Sequence, residues 1–279
     1  MKKILTFGGR EARRNLTVDC IRNNKAKCQK MTQVDARNGA EAAMLEAQGI
    51  DLITVADVDF KECRAAAPDT FMTGCQTMVQ YVTEDEALRG AIAVAEQGAD
   101  AIYTPRGLKT VERLSAEGLA VQGHLGLVPR RSTLVGGLRI IGKTAQEAMR
   151  LFQDFKRLED AGAYACEVEC VATEALIEIN KRTALVTHSI GAGTGGDIIF
   201  SFFEDITGET EADYRHIKRF ADVRSLKRQI EEEQRKGLSG FREEVLSGAF
   251  PHEPHQVPMA SGEPDKLQEA LDKWVPTHR

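Results

Sequence analysis

Between residues 29 and 222, short apolar runs alternate with helix-like stretches about eight times, most runs close on a polar side chain, and the connections are short. These three observations predict a parallel (β/α)8 TIM barrel. Strand, helix and strand at such intervals require parallel pairing through right-handed crossovers. Eight units in roughly 200 residues is the barrel's count. A doubly wound open sheet is the rival fold. It is disfavoured because chemically able residues end many strands and do not cluster at one switch point.

Taken in order, residues 1–28 are polar and broken and read as an N-terminal arm with a short helix near Val18–Asn23. Gln29–Val34 reads as the first strand, Gly39–Gln48 as a helix closed by Gly49, and Asp51–Ala56 as the second strand. Thr70–Cys75 is the third. Thr83 with Glu86 forms a capping box that starts a helix running to Gln97. Ala101–Thr104 and Leu119–Gly123 follow as strands. A long helix over Thr144–Ala161 is closed by Gly162, and Ala163–Glu169, Ala184–Ser189 and Ile198–Phe203 complete the eight strands. Beyond residue 222 the character changes. Ser225–Lys236 is a highly charged helix that Gly240–Ser247 extends, and the chain past Pro251 is expected to be extended. The expected organisation is therefore an arm (1–28), a barrel (29–222) and a C-terminal helical extension and tail (223–279).

Composition narrows the function. A net charge of −5 opposes nucleic-acid binding, which needs a basic face. No stretch reaches the roughly 20 apolar residues that cross a bilayer. The N-terminus lacks the apolar core of a signal peptide, and the six cysteines show no CxxC spacing. The expectation is a cytoplasmic protein with reduced cysteines, no nucleic-acid partner and no membrane partner.

In a TIM barrel the site lies where the strands end. That rule selects Asp35, Asp57, Cys75, Tyr103 with Arg106, His124, Glu169, His188 and the pair Glu204-Asp205. Asp57, with Asp59 two residues on, suits a hard cation, or else a turn cap. Glu169 shares a strand face with Glu167, and a carboxylate inside a barrel is costly unless paired or functional. His124 and His188 are each either a proton-transfer group or a hydrogen-bonded structural histidine. Cys75 reads as packing or nucleophile. The run Gly191–Gly196 is rich in backbone N–H groups able to cradle an anion but lacks a P-loop pattern.

Several segments together resemble the ketopantoate hydroxymethyltransferase family. They are Gly123-His124-Leu125-Gly126-Leu127 with Pro129, Gly136-Gly137 with Ile141-Gly142-Lys143, and Leu158-Glu159 through Ala161-Gly162-Ala163. Val168-Glu169-Cys170-Val171, Ile190-Gly191-Ala192-Gly193, Lys218-Arg219-Phe220-Ala221, Glu244-Val245 and Ser247-Gly248-Ala249-Phe250-Pro251 complete the set, in the family's order. The resemblance implies a TIM barrel of the phosphoenolpyruvate mutase and isocitrate lyase superfamily, usually a homo-oligomer. It implies carbon–carbon chemistry on a small 2-oxo acid, with methylenetetrahydrofolate as one-carbon donor and a divalent metal on the oxo acid. By position it makes Asp57 a metal ligand, Glu169 the base and His124 an active-site histidine.

The match departs from the family at the metal. Val58 stands where a serine follows the first aspartate, Cys75 where a second metal aspartate stands, and Tyr103-Thr104-Pro105 where the family has Lys-x-Glu. His188 and Ser189 replace small or apolar residues. The remaining donors shift from hard oxygen toward softer atoms, better suited to Zn²⁺ or another transition metal than to Mg²⁺, or to no metal. The resulting expectation is Asp57, Asp59 and Cys75 for a metal and Glu169, His124 and His188 for catalysis. Tyr103, Arg106, Arg130 and Ser189 are expected to bind substrate, an arginine replacing the lost lysine as carboxylate clamp. A diverged lyase or hydrolase, or a catalytically silent barrel, is the alternative.

Overall fold

The computed structural model describes residues 1–275 and contains two units, Met1–Asp222 and Val223–Arg279. The last four residues of the expected C-terminal tail lie outside the described residues.

The first unit opens with a polar antiparallel hairpin, β1 (Lys2–Leu5) and β2 (Glu11–Arg14), where the sequence predicts an irregular arm. Its strands are only four residues each and carry no apolar alternation, so the period-2 signal is missing. Helix α1 (Val18–Ala26) follows, with Thr17 accepting the Cys20 N–H as N-cap.

Eight parallel strands then close on themselves: β3 (Met31–Ala36), β4 (Leu52–Ala56), β5 (Phe71–Cys75), β6 (Ala101–Tyr103), β7 (Val121–Gly126), β8 (Ala165–Glu169), β9 (Val186–Ile190) and β10 (Ile198–Ser201). Strand β10 pairs with both β3 and β9, which removes every sheet edge. The expected TIM barrel is therefore present.

Helices α2 (Gly39–Ala47), α4 (Glu84–Glu96) and α6 (Ala145–Asp160) occupy the expected places. Thr83 and Glu86 cap α4 reciprocally, and Thr144 accepts the Glu147 N–H at the start of α6. Four further helices carry weaker sequence signals: α3 (Phe60–Ala66), α5 (Leu108–Ala116), α7 (Thr173–Asn180) and α8 (Phe203–Thr207). None of the four has a side-chain N-cap, which is the signal a reader relies on.

Two apolar layers hold the barrel. Met31, Leu52, Phe71, Ala101, Ala165, Val186 and Ile198 plug the interior near the strand starts. Val34, Ile53, Met72, Ile102, Val121, Cys166 and Val168 point outward against the helices, with Phe60, Phe155 and Leu158 among their partners. Strand alternation separates the two sets and leaves the inner strand ends to polar side chains.

Gly126 ends β7 with φ +86°, and a Cβ built there would sit 2.4 Å from the Glu169 carbonyl oxygen. Left-handed backbone and close approach both require glycine. Gly126→Ala is expected to cost about 3 kcal/mol, combining strain and overpacking. Urea unfolding checks this; a variant within about 0.5 kcal/mol of the parent, the usual scale of neutral changes, would contradict it.

The second unit contains α9 (Val223–Ser247), one continuous 25-residue helix, and α10 (Glu263–Asp272), where the sequence predicts extended chain. Pro264 sits in the first turn of α10, where proline is tolerated because that N–H has no helical partner.

Candidate active site

The parallel register places His124 beside Glu167 and Gly126 beside Glu169. Residues two apart on a strand share a face. His124, Glu167, Glu169, Tyr103 and Cys75 therefore all point into the barrel mouth.

His124 is the hub. Its Nδ1 lies 2.7 Å from the Tyr103 hydroxyl and 3.7 Å from Oε1 of Glu167. Its Nε2 lies 3.3 Å from Oε2 of Glu169, in ion-pair range but without hydrogen-bond geometry, so Nε2 has no hydrogen-bond partner. The His124 side chain is 4 % exposed and that of Glu169 20 % exposed. Burial by itself pushes the His124 pKa down. Glu169 and Glu167 outweigh it, and the net direction is up, toward the imidazolium. Burial pushes the Glu167 carboxyl up, His124 only partly offsetting this. The Tyr103 phenol is held protonated by burial and by the field of Glu167.

Across the mouth, Asp57 is buried and both its oxygens are engaged. Oδ1 accepts the Val58 N–H at 3.0 Å and Oδ2 accepts the Tyr81 hydroxyl. The Cys75 thiol is pushed well up by burial, then by Glu167, Asp35 and Asp57, and so stays protonated. Asp59 is half-buried in the turn before α3 and makes no capping bond. Asp35 accepts the Phe203 N–H at 2.6 Å, and burial pushes its carboxyl up to about 6.

Several expected site residues are placed elsewhere, and their roles need correction. His188 lies inside the barrel with no exposed surface. Its Nδ1 meets Oε1 of Gln33 at 2.5 Å, and burial pushes its pKa down to about 3. It is a neutral structural histidine and not a proton-transfer group. Ser189, its neighbour, necessarily faces the other way, and its hydroxyl donates to the Gly193 carbonyl at 2.8 Å. Arg106 spends its guanidinium on the carbonyls of Met78, Tyr81 and Val82, so it is not a free carboxylate clamp. Arg130 is exposed on the 3-10 segment Pro129–Val135. Among the described residues, the metal-capable group whose donor atoms converge is His124, Glu167 and Glu169, all within 4.8 Å of one another, and not Asp57, Asp59 and Cys75. Both Asp57 oxygens are taken by Val58 and Tyr81, and the Cys75 thiol is held protonated.

Alternation puts Glu167 on the strand face of Glu169, but only Glu169 enters the expected catalytic set. Tyr81 carries no such signal, because it lies in an irregular loop.

The family described as ketopantoate hydroxymethyltransferase matches residues 59–253. The chain is 31 % identical to a 3-methyl-2-oxobutanoate hydroxymethyltransferase of Thermus thermophilus over 86 % of this chain and 98 % of that one. It is 28 % identical to the enzyme of the same name from Emericella nidulans, over 94 % and 81 %. Among solved structures, phosphonopyruvate hydrolase in complex with oxalate and Mg²⁺ aligns with TM-score 0.53 and 10 % identity, covering 92 % of this chain and 98 % of that one. A 2,3-dimethylmalate lyase of the phosphoenolpyruvate mutase and isocitrate lyase superfamily aligns with TM-score 0.51 and 10 % identity, over 92 % and 100 %. These two likenesses concern the fold. No helix among the described residues is long and apolar enough to cross a membrane.

Proposed function

Because this chain belongs to the ketopantoate hydroxymethyltransferase family, we propose that it enolises a small 2-oxo acid and forms or breaks a carbon–carbon bond beside the oxo group. The observation that carries this reading is His124 held between Glu167 and Glu169, with Tyr103 on Nδ1, at the ends of parallel strands. By its relatives' names, the substrate we assign is 3-methyl-2-oxobutanoate. The one-carbon donor we assign is methylenetetrahydrofolate.

Glu169, the more exposed of the two carboxylates, takes the proton from carbon 3. The electron pair moves toward the oxo oxygen, which accepts a hydrogen bond from the unpartnered Nε2–H of His124. Glu167 and Tyr103 fix the ring from its Nδ1 side. Water cleaves both C–N bonds of the methylene donor, giving formaldehyde and tetrahydrofolate with its nitrogens protonated; the enol carbon adds to the formaldehyde carbon, and the new alkoxide takes back the proton held by Glu169. The same reading places the chain in a cytoplasmic homo-oligomer; the exposed apolar residues Leu226, Ile230, Phe241 and Val245 along a charged helix speak for the oligomer.

The family implies Mg²⁺, which demands near-octahedral oxygen ligands. At the positions that resemblance selects, Asp57 has both oxygens occupied, Cys75 is a protonated thiol and Pro105 has no donor. These residues do not fit Mg²⁺.

A second reading, cleavage of another small keto acid, is favoured by one observation. Neutral Tyr103 stands where the resemblance places lysine, and Arg106 is committed to backbone carbonyls. Incubation with 3-methyl-2-oxobutanoate in D₂O, followed by proton NMR, tests the first reading. Loss of the carbon-3 proton signal is expected; an unchanged signal alongside exchange into a different 2-oxo acid would transfer the assignment to the second.

A further inference from the structure

We propose that His124, Glu167 and Glu169 also form a binding site for a borderline divalent transition-metal ion, of the Zn²⁺ or Co²⁺ class. This site is displaced from the position the family resemblance selects. One imidazole and two carboxylates are a donor set such ions accept, with three protein ligands and an open position for water. The three donor atoms lie within 4.8 Å of one another. Ligands of a tetrahedral ion at 2.0–2.2 Å stand roughly 3.4 Å apart, and the Nε2–Oε2 separation of His124 and Glu169 is already 3.3 Å. Oε1 of Glu167 stands 3.7 Å from Nδ1, so its carboxylate swings toward the Nε2 side of the ring to complete the set.

A second observation concerns the hydrogen bonding of the imidazole. Nε2 of His124 is buried and makes no hydrogen bond, although Oε2 of Glu169 lies 3.3 Å away, while Tyr103 occupies Nδ1. A buried polar nitrogen without a partner is costly, and structures rarely leave one so. Tyr103 supplies the outer contact that orients a metal-bound imidazole, presenting Nε2 to the ion.

The ion and the proton compete for the same atoms. Glu169 with an oxygen on the metal is withdrawn from proton abstraction, and Nε2 on the metal has no hydrogen to donate. Metal loading therefore silences the acid–base cluster. The binding proposal rests on donor geometry alone; only this last consequence rests on the function proposed above.

The test is titration of the metal-stripped full-length protein with Co²⁺, read by visible ligand-field absorption without substrate. One equivalent is expected to give the intense bands of four- or five-coordinate Co²⁺, displaced by Zn²⁺. Tyr103→Phe, which keeps every ligand, is expected to weaken binding by about 10-fold or more, and Glu167→Gln to weaken it further. Asp57→Asn is expected to bind as the parent does. Absorption no different from aqueous Co²⁺, binding unchanged in both Glu167→Gln and Tyr103→Phe, or binding lost in Asp57→Asn would each overturn the site. In the same samples, exchange into 3-methyl-2-oxobutanoate is expected to fall in step with occupancy. Exchange that rises with occupancy would overturn Glu169 as base and leave the metal site standing.

Discussion

Glu169→Gln is expected to slow deuterium exchange into 3-methyl-2-oxobutanoate by about 10²–10⁴-fold, the contribution typical of a positioned general base. The substitution keeps the shape and the capacity to accept a hydrogen bond while removing basicity. Glu169 ends β8, and its carboxylate is partly exposed, so the change leaves packing nearly untouched. Unfolding midpoints close to the parent's would separate lost chemistry from lost fold. The pH profile carries a second signature. His124 serves best as the imidazolium, whose pKa the two carboxylates raise against the opposing effect of burial. Exchange should therefore decline as pH rises through that elevated pKa. In His124→Gln the alkaline decline should vanish and the remaining rate should be low. Parent-like exchange in Glu169→Gln would end its assignment as the base.

The second large effect is on stability in acid. His188 is fully buried, and burial depresses its pKa to about 3, the field of Asp197 restoring only part. An unfolded histidine titrates near 6.5. The depressed group stabilises the fold fully above about 6.5, and that contribution is lost as pH falls toward about 3. The difference amounts to about 5 kcal/mol at most, comparable with the whole stability of many domains. The protein is therefore expected to unfold on mild acidification. His188→Gln should cost about 1–2 kcal/mol near neutral pH, where a buried hydrogen bond to Gln33 is remade imperfectly, and should be the more stable form at low pH. Urea unfolding from pH 7.5 to 4 measures both slopes. Parallel curves would show that His188 is not the group responsible.

Some of this was legible before any coordinate. The β4 run Leu52–Ala56 is short, apolar and bounded, and Thr83 with Glu86 announces α4, because both signals are local. The hairpin Lys2–Arg14 and helices α5 and α7 were not legible. The hairpin strands are four residues each with no apolar alternation, and the helices start on Gly107 and Ala172 without a side-chain cap. Their conformations are set by what they pack against.

The site divides the same way. Glu169 and His124 stand out because a strand that ends on a chemically able residue points it into the mouth. Glu167 had the same parity and was outshone by its neighbour. His188 also had the right residue type and the right strand, yet burial makes it a structural group. Arg106 had the right charge, and a loop carbonyl cluster claims it.

By itself the sequence determined the barrel, the order of its strands and the family, because periodicity, caps and motif order are written along the chain. Tertiary structure alone decided which donors meet. Only the closed register sets residues of β6, β7 and β8 within bonding distance, and depth inside the barrel, which no local pattern encodes, decides which titratable groups keep their charge.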